Sequence, residues 1–234
     1  MKAGHLVPRS SLSRHRAQCR SAAFGIAALL LTTLPSCARD PAVGRSTLLD
    51  TTRSAEPAPK AFRVRFETSR GPFVIEVHRA WSPFGVDRFY YLVRRGFYDD
   101  TRFFRVIPGY IAQFGISGDP QITSAWLQRI IPDDTVKHQT NARGRVAFAS
   151  AGPHTRTTQL FIDLRNNSNL DQSFGPIGEI VEGMTIVDSL WSGYGDGPPG
   201  GHGPDQQRLF AEGNQYLTRE FPKLDYIKTA RVVK

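Results

Sequence analysis

Phe62, Val64 and Phe66 alternate with Arg63, Arg65 and Glu67, the period-two pattern of a strand with one buried face. Arg70-Gly71-Pro72 interrupts the run, and Phe73, Ile75 and Val77 resume it toward His78, so the pair predicts a hairpin. The period then changes. Val86, Phe89, Tyr90 and Val93 fall at i, i+3, i+4 and i+7, with Ser82-Pro83 ahead of them and Arg94-Arg95-Gly96 behind. This predicts a helix with Ser82 as N-cap, proline in its first turn and a glycine stop. Short apolar runs bounded by glycine and proline predict strands at 103–107, 110–114, 145–149, 159–162 and 176–181. Met184, Val187 and Trp191 predict a short helix after Gly183, and Asp205 is placed to cap a third within 204–222, following a glycine-proline loop at 193–203. Tyr226 to Val233 can return as an edge or closing strand. Many strands with scattered helices, and no internal repeat, point to a mainly β, closed or nearly closed antiparallel structure.

The first 61 residues follow neither period. Lys2, Arg9, Arg14, Arg16 and Arg20 precede an uncharged stretch from Ala22 to Thr33, the order of an export signal, and that stretch is shorter than the ~20 residues a membrane-spanning helix needs. Leu34-Pro35-Ser36-Cys37 resembles a bacterial lipobox, which would make Cys37 a lipid-bearing first residue after removal of residues 1–36. Cleavage after Ala38, with Ser36 and Ala38 as the small pair, is the competing reading and would release a soluble protein. Residues 37–61 are rich in Pro, Ser, Thr and Ala and are expected to be a flexible linker, leaving 62–234 as the folded domain. The charge has to be read against this division. The chain carries +9, but residues 1–36 hold five basic and no acidic residues, so the remainder carries only +4 and a nucleic-acid partner is not expected.

Several chemistries drop out. Cys19 and Cys37 are the two cysteines, so a mature exported chain has no structural disulfide and no thiolate metal site. The six histidines show no i, i+4 pair, and no metal is expected. There is no G-x-S-x-G elbow. Gly195-Asp196-Gly197-Pro198-Pro199-Gly200 fits G-x-G-x-x-G, but Pro198 and Pro199 remove two of the N–H donors a pyrophosphate would need.

The informative blocks are Phe103-Phe104-Arg105-Val106-Ile107-Pro108-Gly109-Tyr110-Ile111-Ala112-Gln113, Phe148-Ala149-Ser150-Ala151-Gly152-Pro153 and Gln159-Leu160-Phe161-Ile162. In type, order and spacing they resemble the cyclophilin family of peptidyl-prolyl isomerases. The likeness runs from Phe62 to Trp191. It implies an eight-stranded antiparallel barrel capped by two helices, here with an extra loop-helix insertion between Trp191 and Tyr226. It also implies that Arg105 and Gln113 are catalytic, that Tyr110, Ile111, Phe161 and Leu170 form an apolar proline pocket, and that Ala149, Ser150, Ala151 and Gln159 line the groove for residues before proline. Phe104 occupies a groove position where histidine is frequent. Asn169 stands where cyclosporin-sensitive members usually carry Trp, and Phe174 where His is common; Thr157-Thr158 replaces small residues at a secondary pocket. No cofactor is implied. The partners implied are proline-containing polypeptides, with a membrane met only through the lipid anchor, and a monomer is expected. A non-catalytic chaperone or scaffold of the same fold, holding proline segments without turnover, is the alternative.

Overall fold

The computed structural model describes residues 41–135 and 139–233; the expected export signal, Cys37 and the alternative cleavage site expected at Ala38 lie outside them. Eight strands, β1 (Ala61–Thr68), β2 (Pro72–His78), β3 (Arg105–Ile107), β4 (Ile111–Phe114), β5 (Arg145–Phe148), β6 (Leu160–Asp163), β7 (Pro176–Glu182) and β8 (Ile227–Val233), form one sheet in the order β3-β4-β6-β5-β7-β2-β1-β8. Every ladder is antiparallel. The helices are α1 (Pro41–Leu49), α2 (Pro83–Arg95), α3 (Pro120–Leu127), α4 (Met184–Asp188), α5 (Gln206–Glu212) and α6 (Asn214–Glu220), with a 3-10 turn at Ser168–Leu170.

Alternation decides what lies inside. Phe62, Val64, Phe66, Phe73, Ile75 and Val77 from the hairpin meet Val106, Ala112, Val146 and Ile162 from the other strands in one buried core, closed by Val86, Phe89, Leu92 and Val93 of α2. Phe66 stacks on Phe73 with ring centroids 4.8 Å apart and meets Phe114 edge-on at 5.9 Å, geometries that aromatic rings favour. The sheet is less closed than expected. Among the described residues β3 and β8, its two ends, share no ladder. They are joined by an isolated bridge between Arg102 and Tyr226 and by Phe103 N–H to Asp225 O and Ile227 N–H to Thr101 O, both 2.9 Å. A strand of three residues, 105–107, offers too little edge for more.

The predicted α2 is present, with Gly96 at φ 73 accepting the left-handed stop. Its N-terminus is satisfied differently from the expectation. The Ser82 hydroxyl makes no cap bond; it donates to Asp134, whose carboxylate accepts Phe84 N–H at 2.7 Å and Gly85 N–H at 3.2 Å. A carboxylate is the better partner for the positive end of a helix.

The expected flexible linker is a packed strap from residue 41 onward. Leu48, Leu49 and Ala58 lie against the core, Trp126 Nε1–H donates to Leu48 O at 2.9 Å, and Ala58 N–H reaches the Asp87 carboxylate at 2.9 Å. Arg88 and Arg129 add bonds to Ser54 O at 2.5 Å and Thr51 Oγ1 at 2.9 Å. Composition alone misses this because several of the strap's contacts are made through its main chain, at Leu48 O, Ser54 O and Ala58 N–H.

The insertion is folded too. The expected third helix is two, α5 and α6, broken at Gly213. There φ is +61, and a Cβ would lie 2.1 Å from Gly118 O. Leu209, Tyr216, Leu217 and Leu224 bury a second apolar cluster together with Phe104 and Ile116.

Candidate active site

Strand register builds the site. Arg105 is paired with Gln113 across β3 and β4, Gln113 with Phe161 across β4 and β6, and Phe161 with Ala147 across β6 and β5. Side chains of directly paired residues share a face, so these four form one row on the outside of the sheet, while their neighbours Val106, Ala112, Ile162 and Val146 form the core row inside. Ile111 lies two residues from Gln113 and joins the outer face. An apolar cluster results: Ile111, Ala147 and Phe161, with Tyr110, Ala149, Leu170 and Phe174 packed against them. Phe174 meets the Phe161 ring edge-on at 5.4 Å. The residues expected to form the proline pocket are thus brought together, with Phe174 beside them.

Arg105 and Gln113 are held beside it. Arg105 Nη1–H donates to Gln113 Oε1 at 3.1 Å, and Gln113 Nε2–H donates to Gln159 Oε1 at 2.9 Å. Gln113 therefore keeps one amide hydrogen for a substrate carbonyl. Ala149, Ser150, Ala151 and Gln159 line the adjoining groove of about 410 Å³ with Gln113 and Thr157. Thr158 does not line it; its hydroxyl donates to Gly115 O at 2.8 Å. Asn169 stands exposed on the 3-10 turn.

Phe104 is the exception. It is 1% exposed and belongs to the cluster under α5 and α6, because the insertion packs over it just ahead of β3. Phe104 is therefore packing rather than an open groove contact. Sequence reasoning missed Gln206, Gln207 and Phe210 of α5, which complete a wall of the adjoining groove, and Asp196. The Asp196 carboxylate accepts Arg105 Nε–H at 2.6 Å and Nη2–H at 3.0 Å. The guanidinium in turn holds the Asp196 carboxyl below its usual range. No local signal connects positions 105 and 196.

Asp163 supports the pocket from below. It is fully buried, accepts Asn167 Nδ2–H at 2.7 Å, and Asn167 also donates to Tyr110 O at 3.0 Å. Burial pushes the Asp163 carboxyl up to about 7, with Asp171 nearby adding to the rise. A carboxyl that holds its proton more tightly folded than unfolded contributes stability in acid and loses it as pH rises through the folded pKa. That contribution should decline between the ordinary value of 3.8 and about 7. Asp163→Asn should abolish this slope in urea denaturation followed at about pH 5 and pH 8; an unchanged slope would assign it elsewhere.

Among the described residues, Glu76, His78 and Glu179 bring potential metal-ligand atoms within 4.8 Å of one another. Arg63 Nε and Arg145 Nη1 already lie 3.0 and 3.3 Å from the two carboxylates, in competition with any cation.

The comparison with known families decides the identity of this groove. Residues 63–206 match the family described as cyclophilin type peptidyl-prolyl cis-trans isomerase/CLD. The chain belongs to that family. A peptidyl-prolyl cis-trans isomerase of Arabidopsis thaliana is 33% identical over 144 residues, covering 59% of this chain and 86% of the relative. One of Schizosaccharomyces pombe is 34% identical over 129 residues, covering 53% and 81%. The crystal structure of a Cryptosporidium parvum cyclophilin type isomerase aligns with a TM-score of 0.56 at 22% identity, over 74% of this chain and 98% of that one. That structural likeness carries the cyclophilin fold.

Proposed function

We propose that this cyclophilin catalyses cis–trans rotation about X-Pro bonds in polypeptides, and one observation carries the proposal: a guanidinium fixed beside an apolar cluster on the outer face of the sheet. Rotation is opposed by amide resonance, a barrier of ~18–20 kcal/mol. Twisting removes the resonance and leaves a lone pair on the prolyl nitrogen. A donor aimed at that nitrogen stabilises the twisted form more than either planar one, which is what lowers a barrier. Arg105 supplies the donor, Gln113 an N–H for the substrate carbonyl, and Ile111, Phe161 and Leu170 the surface that holds the ring. No bond is broken and no residue need change protonation. The test is acceleration of exchange in a short Ala-Pro peptide, by NMR magnetisation exchange. Binding without acceleration would instead favour the chaperone or scaffold reading.

The groove is complete within one chain, which supports action as a monomer. Its place of work is proposed from the basic start, the short apolar run and Cys37: export, with a lipid on Cys37, to act on proteins folding in the cell envelope. Only Ala38, Arg39 and Asp40 separate Cys37 from α1. The leash would span at most about 15 Å, far less than a flexible 37–61 linker would give. N-terminal mass analysis of the mature protein should find a lipid-modified Cys37. A free N-terminus at Arg39 would mean soluble release, and an intact Met1 would reject export.

A further inference from the structure

We propose that Asp196 is a positioning residue for catalysis, fixing the Arg105 guanidinium so that its remaining N–H groups face the prolyl nitrogen. This deepens the isomerase reading and rests on it. The argument begins with donors. A guanidinium has five N–H groups in a rigid plane. Asp196 takes one from Nε and one from Nη2, and Gln113 takes one from Nη1. One hydrogen on each terminal nitrogen is left. Held by Gln113 alone, the long side chain could rotate about its other bonds; with the carboxylate on a second edge, its plane is fixed.

The loop carrying Asp196 is itself shaped around that residue. Asp196 O accepts Gly203 N–H at 2.7 Å, and Asp196 Oδ1 accepts Gly197 N–H at 2.8 Å. A Cβ at Gly201 or Gly203 would lie 2.3 or 2.9 Å from Asp196 O, and one at Gly197 would lie 2.6 Å from Pro204 O. Of the glycines that imitate a nucleotide fingerprint only Gly197 is crowded in this way; with Gly201 and Gly203 it lets the chain close tightly around the Asp196 backbone. Pro204 and the first turn of α5, anchored by Asp205 accepting Gln207 and Arg208 N–H, complete the wall of a small cavity beside Arg105. None of residues 193–203 joins the apolar proline pocket or lines the groove beyond Gln113. The contact therefore flanks the substrate site and leaves it open.

The test is a double-mutant cycle. Asp196→Ala and Asp196→Asn are each made alone and with Arg105→Ala, and kcat and KM are measured on an Ala-Pro peptide alongside a thermal melt. Asp196→Ala should lower kcat roughly 10- to 100-fold, the scale of a misplaced catalytic group, with KM little changed. Asp196→Asn, which keeps one acceptor oxygen, should fall between it and wild type. With Arg105 already replaced, neither should cost further activity. Unchanged or increased turnover in Asp196→Ala would overturn the proposal, the increase by showing that the loop restrains the enzyme. Equal losses in both backgrounds would overturn it as well, by reducing Asp196 to a scaffold. If Asp196→Ala does not fold, Asp196→Asn decides by the same criteria. Retained activity in Arg105→Ala alone would instead reject the catalytic reading itself.

Discussion

Arg105→Ala should lose roughly 10²–10³-fold in kcat/KM, the usual cost of removing one preorganised donor to a transition state, while its melting temperature stays near wild type. Arg105 lies on a three-residue end strand and is partly exposed, so the fold depends little on its side chain. Its replacement also leaves the Asp196 carboxylate in a place where water can reach it. Arg105→Lys should not restore the rate. An ammonium cannot bind Asp196 through two coplanar nitrogens, reach Gln113 Oε1 from a third and still present a fixed donor to substrate. Near-wild-type exchange in the alanine variant would mean that ring binding alone lowers the barrier.

Arg88→Met should be the most destabilising single change, by roughly 3–5 kcal/mol. The Arg88 side chain is buried and donates to three backbone carbonyls: Ser54 O at 2.5 Å, Arg129 O at 2.6 Å and Thr157 O at 2.9 Å. Its guanidinium also lies 5.3 Å from the centre of the Trp126 ring. Burial lowers its pKa to about 10, so it remains charged at neutral pH. Methionine fills similar space but strands three acceptors in the strap, after α3 and at the rim of the groove. Urea denaturation measures the loss, and limited proteolysis should show cleavage moving into residues 50–60. A cost below about 1 kcal/mol would show that water replaces the guanidinium without penalty.

How far the sequence exposes this architecture depends on where each interaction is encoded. Strands β1 and β2 and helix α2 are legible because a single burying face imposes its period on consecutive residues. Helix α3 has eight residues and too few turns for periodicity to stand out; its start, Asp119-Pro120, was the available signal. The strap reads as a tether because Trp126, Arg88 and Asp87 bind its main chain, which is the same for every sequence. Tyr110, Ile111, Gln113, Phe161 and Leu170 were legible as a site through family likeness, and register explains why they meet. Phe104 shows the limit of that likeness: its usual position in the groove holds only when nothing packs over it, and here an insertion does. Asp196 reaches Arg105 across 91 positions of chain, a partnership visible only once the loop is folded.

Strand β1 is flanked by β2, its neighbour in the chain, and by β8, the most distant of the eight along it. Until residues 227–233 are available, β1 has an unpaired edge, and the 101–103 segment lacks its partners at 225–227. This is the longest-range pairing of the sheet, a kind whose closure carries a large loop entropy. An isomerase that speeds other chains past their slow steps must wait to assemble its own seam, and a chain lacking those residues would expose the open edge to strands of neighbouring molecules.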